Sequence, residues 1–355
     1  MAPVVPRAVA RDHRRTIDAM TTLEESQPSA SPGPAVSTPP RRPGSIRRTT
    51  THDSTRPGGL EGEVHLVARG RDLVTGLDGD TLVVDEAGVE VAVNSSMQGR
   101  ILSIAVEPAI DGIEGLVGAS AFAGFRRSVG ELVPGDRSSG SVRFQLLDDI
   151  PTALMLSGRV LRAAGLGLGV PMKPGKPSNV DICAGWVDEG TAVQGYSEKG
   201  PPLFPAPPSP PVEPTDDPVG WHEHPSAQPF STRRRRRLDV APEGDVVHVD
   251  CFFRDSHFDG DGLEEVVHEY TVRAAVDAAT HTVLSCEADY GALPFPECPG
   301  AAASAHRIVG DTLEGLRRRV LKEMVGTSTC THLNDQLRSF EDVPTLLARL
   351  EAARP

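Results

Sequence analysis

Aromatic residues are scarce, only 4% of the 355-residue chain, and there are five cysteines. An odd, sparse set of thiols is not the dense framework of a secreted disulfide scaffold, so reduced cysteines and a cytoplasmic location are expected. No apolar run of about 18 residues is present, which argues against a helical membrane span, and no apolar signal core stands at the start. Positive charge is short as well. With 36 Lys and Arg against 49 Asp and Glu, the net charge of −13 excludes a general nucleic-acid binder, which needs a basic face. The chain does have length enough for about two cores, and 38% hydrophobic residues to fill them. Its 32 prolines and 35 glycines put part of it outside regular structure.

Residues 1–57 are rich in Pro, Ser, Thr and Arg with no hydrophobic period, and the expectation is a disordered tail. The cluster Arg41, Arg42, Arg47 and Arg48 reads as a solvated charge run. Residues 58–165 form a first globular region. Alternation at Glu63–Val67 and Val89–Val93 and an apolar run at Ile101–Val106 predict strands, and apolar stretches through Leu146 and Leu156 follow.

Laid over the C-terminal part, this region shows an internal repeat. Val64-His65, Arg71-Asp72 and Asp78-Gly79 recur as Val247-His248, Arg254-Asp255 and Asp261-Gly262, every pair 183 residues apart. Ile101-Leu102-Ser103 is echoed by Val283-Leu284-Ser285, and Leu146 and Asp148 by Leu333 and Asp335. The predicted fold is therefore α+β, a tandem duplication of a small antiparallel sheet with helices packed on one face.

Between the copies, residues 166–237 are expected to be a long Pro- and Gly-rich linker, close to polyproline at Pro201 to Pro214. Within it, Asp181 to Trp186 is apolar enough to dock on a domain. The pair His222 and His224 lacks a third ligand nearby and is a poor metal site. The five arginines Arg233 to Arg237 suit carboxylates of this acidic chain, an anionic partner being the alternative. The second copy, residues 238–355, is expected to have strands at Val246–Phe253, Val266–Val276 and Val283–Ala288. Helices should follow at Pro299–Val309 and at Asp311–Met324, where Asp311 with Glu314 makes a capping-box pattern.

Two thiols of this copy stand where chemistry is plausible. Pro299 suits the first position of a helix, which puts Cys298 at its N-terminus. Thr329 or Thr331 can cap a helix through Leu333 and Leu337, which puts Cys330 and His332 at its start. Unpaired N–H groups at helix N-termini favour thiolate, the form that binds metals and attacks electrophiles. Cys298, Cys330 and His332 are expected to converge with His268, which opens a strand. In the first copy the corresponding positions hold Leu116, Arg143 and Gln145, so the chemistry is confined to the second.

The order from Val267-His268-Glu269-Tyr270 through Cys298 to Gly326-Thr327-Ser328-Thr329-Cys330-Thr331-His332-Leu333 resembles a bacterial domain-of-unknown-function family with a Cys-Thr-His-Leu signature. More distantly, it looks like the NifU-type iron–sulfur cluster assembly scaffolds, which gather cysteines, an Asp and sometimes a His at one corner. The hairpin position where those scaffolds carry a further cysteine holds only Asp259, Asp261 or His268 here.

Three function classes follow. One is an accessory protein binding zinc, iron or an iron–sulfur cluster through Cys298, Cys330, His332 and His268. A thiol enzyme for sulfur or acyl transfer, with Cys330 or Cys298 as nucleophile and a His as base, is the second. The third is a noncatalytic interaction protein with buried, inert cysteines. A protein partner is expected and a membrane is not. Nucleic acid is not expected either, an anionic contact at Arg233 to Arg237 aside.

Overall fold

Among the described residues, eight strands make one antiparallel sheet: β1 (Ser45–Thr55), β2 (Val64–Thr75), β3 (Thr81–Val93), β4 (Ile101–Glu107), β5 (Thr232–Glu243), β6 (Val246–Phe258), β7 (Glu264–Asp277) and β8 (Val283–Tyr290). Their order is β4-β3-β2-β1-β5-β6-β7-β8, so two four-stranded meanders meet along β1 and β5. Gly79 and Gly262, at the β2–β3 and β6–β7 turns, take φ of 92° and 78°, a region where a side chain would be strained. The computed structural model describes residues 33–354 apart from 97–98, 165–175, 178, 200–203, 205 and 215. The expected tail at 1–32 and the Gly/Pro run at 165–175 therefore lie outside the described residues.

Among the described residues, seven α-helices accompany the sheet: α1 (Phe125–Leu132), α2 (Pro134–Ser138), α3 (Val142–Ala163), α4 (Thr191–Lys199), α5 (Leu316–Glu323), α6 (Thr331–Ser339) and α7 (Val343–Ala352). Two apolar clusters lie between sheet and helices. One joins Leu66, Val89 and Ile101 to Phe125, Phe144 and Leu147. The other joins Val249, Tyr270 and Val283 to Leu316, Leu333, Leu337 and Leu346. Each such side chain contributes roughly 1.5–3 kcal/mol on burial. No helix among the described residues is long and apolar enough to cross a membrane.

Several boundaries differ from the sequence reading. Ser45–Thr55, placed in the tail, is a central strand, buried along its whole length except Thr55. Its period is invisible because both faces are covered, and by polar groups. On the helix side, Arg48 donates to Asp72 at 2.7 and 2.8 Å and to Asp342 at 3.0 Å, while His52 Nε2 lies 2.9 Å from the Leu146 carbonyl. On the other side, Arg47 donates to Asp239 at 2.6 Å, and the Thr49 and Thr51 hydroxyls engage the two nitrogens of His222 at 2.8 and 3.0 Å.

The expected linker is also more than a connection. Strand β5 begins at Thr232, not Leu238, and α4 forms at Thr191–Lys199. Residues ahead of β5 extend the sheet beside β7 at Pro207 to Ser209 and then lie against the sheet face opposite the helices from Val212 to His222. The Val266 N–H donates to the Pro207 carbonyl, Arg71 donates to the Val219 and Trp221 carbonyls, and the Trp221 indole N–H donates to Thr38 Oγ1 at 2.9 Å. All five arginines of the run are buried and paired within the chain: Arg233 with Asp53, Arg234 with Asp255, Arg235 with Glu213 and Glu264, Arg236 with Asp149, and Arg237 with Asp239 and Asp250. An anionic partner would find no exposed guanidinium there.

The Asp311–Glu314 pattern does not cap a helix. The chain turns through Gly315 at φ 72° and α5 starts at Leu316, while Asp311 pairs with Arg319. The segment after Cys298 is a 3-10 helix, Cys298–Ile308, not an α-helix.

Candidate functional site

Cys330 is the N-cap residue of α6, but its side chain makes no capping hydrogen bond. Its sulfur lies 3.9 Å from His332 Nδ1, and His332 Nε2 lies 3.7 Å from Asp255 Oδ2. Asp255, fully buried on β6, accepts two hydrogen bonds from Arg234 of β5, at 2.9 and 2.8 Å. The His332 ring stacks on His268 of β7 at 3.9 Å between centroids and 18° between planes, with Phe253 5.9 Å away. A row thus runs from the buried guanidinium and carboxylate through the half-buried His332 imidazole to the buried thiol. The structure brings three of the expected residues together here: Cys330, His332 and His268.

Cys298 sits in a neighbouring apolar cluster with Ala192 and Phe295. Its thiol interacts electrostatically with those of Cys330 and Cys183. Cys183 belongs to the segment that docks here through the Ala184 N–H, which donates to the Thr329 carbonyl at 2.9 Å. The fit is tight at Gly185, where a Cβ would come within 2.6 Å of the Cys298 sulfur. The Tyr270 hydroxyl, buried among the three thiols, has no hydrogen-bond partner of good geometry.

Residues 232–345 match the model of a family described as Protein of unknown function (DUF2889). No curated protein and no solved structure matches the chain. The matched span opens on the first residue of β5 and contains Arg234, Asp255, His268, Cys298, Cys330 and His332.

Protonation states follow from burial. The thiolate expected at the two helix starts is not favoured. Burial pushes Cys330 up to about 11 and pushes Cys298 and Cys183 up as well. The two helix-start backbones cannot offset the loss of water around Cys298 and Cys330, residues that are each only 5% exposed. Burial, then the Arg234 charge, lowers His332 to about 4. His268 is lowered by burial and by the imidazole stacked on it. With burial raising the Cys330 thiol and lowering the His332 imidazole, the proton stays on the sulfur and both groups are neutral. Among the described residues no three His, Cys, Asp or Glu side chains are set to hold a metal ion.

The sequence reading left out Arg234, Asp255, Tyr270 and Cys183. One signal was there: Asp255 belongs to an Arg-Asp pair that recurs in the sequence, and the Asp72 of its other occurrence is bound in the same two-pronged way by Arg48.

Proposed function

We propose that this chain is a noncatalytic binding protein whose C-terminal Cys/His cluster is interior packing. The observation that carries this reading is the neutral Cys330–His332 pair, a buried thiol beside an imidazole too weakly basic to take its proton. The Asp255 carboxylate that would orient such a base is already engaged by Arg234. Thiol titration of the native protein with 5,5′-dithiobis(2-nitrobenzoate) at pH 7.5 tests it. Cys298 and Cys330 should react only at the rate of unfolding. Modification of Cys330 in the folded protein as fast as a free thiol would overturn the reading.

A second reading, a zinc, iron or iron–sulfur site of the NifU-like kind, is favoured by one observation, the gathering of Cys183 with Cys298 and Cys330 around Tyr270. Three thiols and His332 are a suitable soft donor set, although binding would require them to move together and release protons. Metal analysis of the untagged protein separates the readings. Stoichiometric zinc or iron that disappears in Cys330→Ser supports the metal site.

We also infer that the two halves arose by tandem duplication, with the second half beginning near Thr232. The mirrored strand order supports it, as do reciprocal ion pairs across the β1/β5 seam. Arg47 meets Asp239 and Arg233 meets Asp53, each opposite its partner in the strand register. Arg48–Asp72 and Arg234–Asp255 repeat the same pattern on the helix side.

A further inference from the structure

The two meanders correspond closely at their second hairpin. The β2–β3 ladder skips Val84 in a bulge and the β6–β7 ladder skips Val267, positions 183 residues apart like the repeated pairs of the sequence. In both halves the hairpin also runs past the outermost strand. Pairing of β4 with β3 begins at Gly88, and pairing of β8 with β7 begins at Tyr270. Ahead of those points each half has a stretch of strand edge that neither β4 nor β8 covers.

The second half fills its edge from within the chain. The Val266 N–H donates to the Pro207 carbonyl and the Ser209 N–H donates to the Glu264 carbonyl, both at 2.8 Å, so residues 207–209 act as a short extra strand. Val266 is then 1% exposed. Its counterpart Val83 is 43% exposed, and Leu82 beside it 54%. Among the described residues no backbone group bonds residues 81–84 on that outer side. By the correspondence, the open pair is the Val83 N–H and the Thr81 carbonyl, which stand where Val266 and Glu264 stand in β7. An exposed strand with unmet main-chain groups is a template for one more strand.

The side chains around this edge define what fits it. Leu82 lies opposite Val74 on the helix face, next to half-buried Val84. Glu86 lies opposite Arg71 on the other face, and Arg71 is committed to the Val219 and Trp221 carbonyls. Of the carboxylates along the hairpin, Asp85 and Glu90 are paired with Arg349 and Arg69, whereas Asp78, Asp80 and Glu86 have no salt bridge among the described residues.

We propose that residues 81–84 of β3 receive an extended segment of a partner protein, with apolar side chains toward Leu82 and Val84 and lysine or arginine toward Asp78, Asp80 and Glu86. The added strand does for the first half what residues 207–209 do for the second. This deepens the binding-protein reading above and rests on it for a partner, but its test does not involve the thiols. Failure of the titration below with inert cysteines removes this edge alone, whereas reactive thiols with intact peptide binding remove only the noncatalytic reading.

The full-length protein is titrated by calorimetry with an end-blocked octapeptide of alternating valine and lysine, and amide exchange is followed alongside. In the free protein the Val83 amide should exchange at least about a hundredfold faster than that of Val266, and the peptide should slow it. Full backbone N-methylation of the peptide deletes its donors and keeps its side chains. Glutamate in place of lysine reverses its charge. Each change should weaken binding at least about tenfold. Val83→Pro removes the open N–H at an edge position, where proline is tolerated, and should have the same effect. Val83→Lys is the second variant, keeping the backbone while repelling the lysine peptide, with an unchanged circular dichroism spectrum. Indifference of binding to N-methylation or to Val83→Lys would overturn the proposal. So would a Val83 amide already as slow as that of Val266 in the free chain, or one that slows as protein concentration rises, which marks pairing of two copies.

Discussion

Replacing Arg234 with Met is the sharpest test of how the buried charges under the helices of the second half are held. Arg234 is 1% exposed, bonds Asp255 twice, lies 3.6 Å from Asp335 and 4.0 Å from Asp149, and covers the Phe253 ring at 4.8 Å. Methionine keeps the stem volume and the contact with the ring, so the loss is electrostatic. It leaves a carboxylate with 0% exposure and no counter-charge, and breaking a buried pair from one side costs ~3–5 kcal/mol. With a urea slope of ~3 kcal/mol per M, the midpoint should fall by roughly 1–1.7 M. Adding Asp255→Asn to Arg234→Met removes the stranded charge without changing volume, and should recover about half of the loss. A single variant less than about 1 kcal/mol below the parent, or a double variant no better than the single, would refute the reasoning.

Acid should destabilise the fold before its carboxylates titrate. Burial lowers His332 and His257 to about 4 and His222 to about 3, against ~6.5 for an unfolded histidine. Between pH 6.5 and about 4 the unfolded chain therefore takes up protons that the folded chain refuses, and stability present above that window is lost as pH falls, by ~2 kcal/mol per histidine at pH 5. Asp53 and Glu269, which burial pushes up, act in the opposite sense. A urea midpoint at pH 5.0 equal to that at pH 7.5 would contradict the net expectation. Gly185→Ala should undock the Cys183–Trp186 segment, because its Cβ meets the Cys298 sulfur at 2.6 Å and Phe295 at 3.3 Å, and overpacking of this kind costs ~1–3 kcal/mol. Limited proteolysis near Val187 should become faster, and an unchanged rate counts against the docking. Trp221→Leu removes the indole donor to Thr38 Oγ1, so exchange of the Thr38 amide, now bonded to the Val212 carbonyl at 3.1 Å, should accelerate.

Much of the architecture is legible in the chain wherever one face is apolar. Strands β2, β6, β7 and β8 alternate or are rich in valine, and α6 carries Leu333 and Leu337 on its buried side. Strand β1 is not legible. Arg47 to Ser54 is polar throughout, and its β-branched threonines are the only hint of strand. A strand coated on both sides by ion pairs has no hydrophobic period, and low-hydrophobicity rules then assign it to disorder. The candidate site was half visible for a related reason. Cys330 and His332 attract notice as residue types, whereas the groups that set their protonation, Arg234 and the depth of burial, depend on strand pairing that no local pattern records.

The β1/β5 seam also has a kinetic consequence. Its register joins Ile46 to Val240 and Ser54 to Thr232, positions 194 and 178 residues apart, whereas every other ladder in the sheet closes a short loop. Each meander can therefore zip from its own turns, while the seam waits for two preformed edges to meet. Until then Arg233 and Arg236 of β5 lack their partners Asp53 and Asp149 from the other half, and these two unpaired charges on the open edge resist wrong pairing with other strands. The deepest part of the folded molecule is thus the last to assemble. A cut in the stretch between α3 and β5 should still allow the two pieces to find each other and complete the sheet.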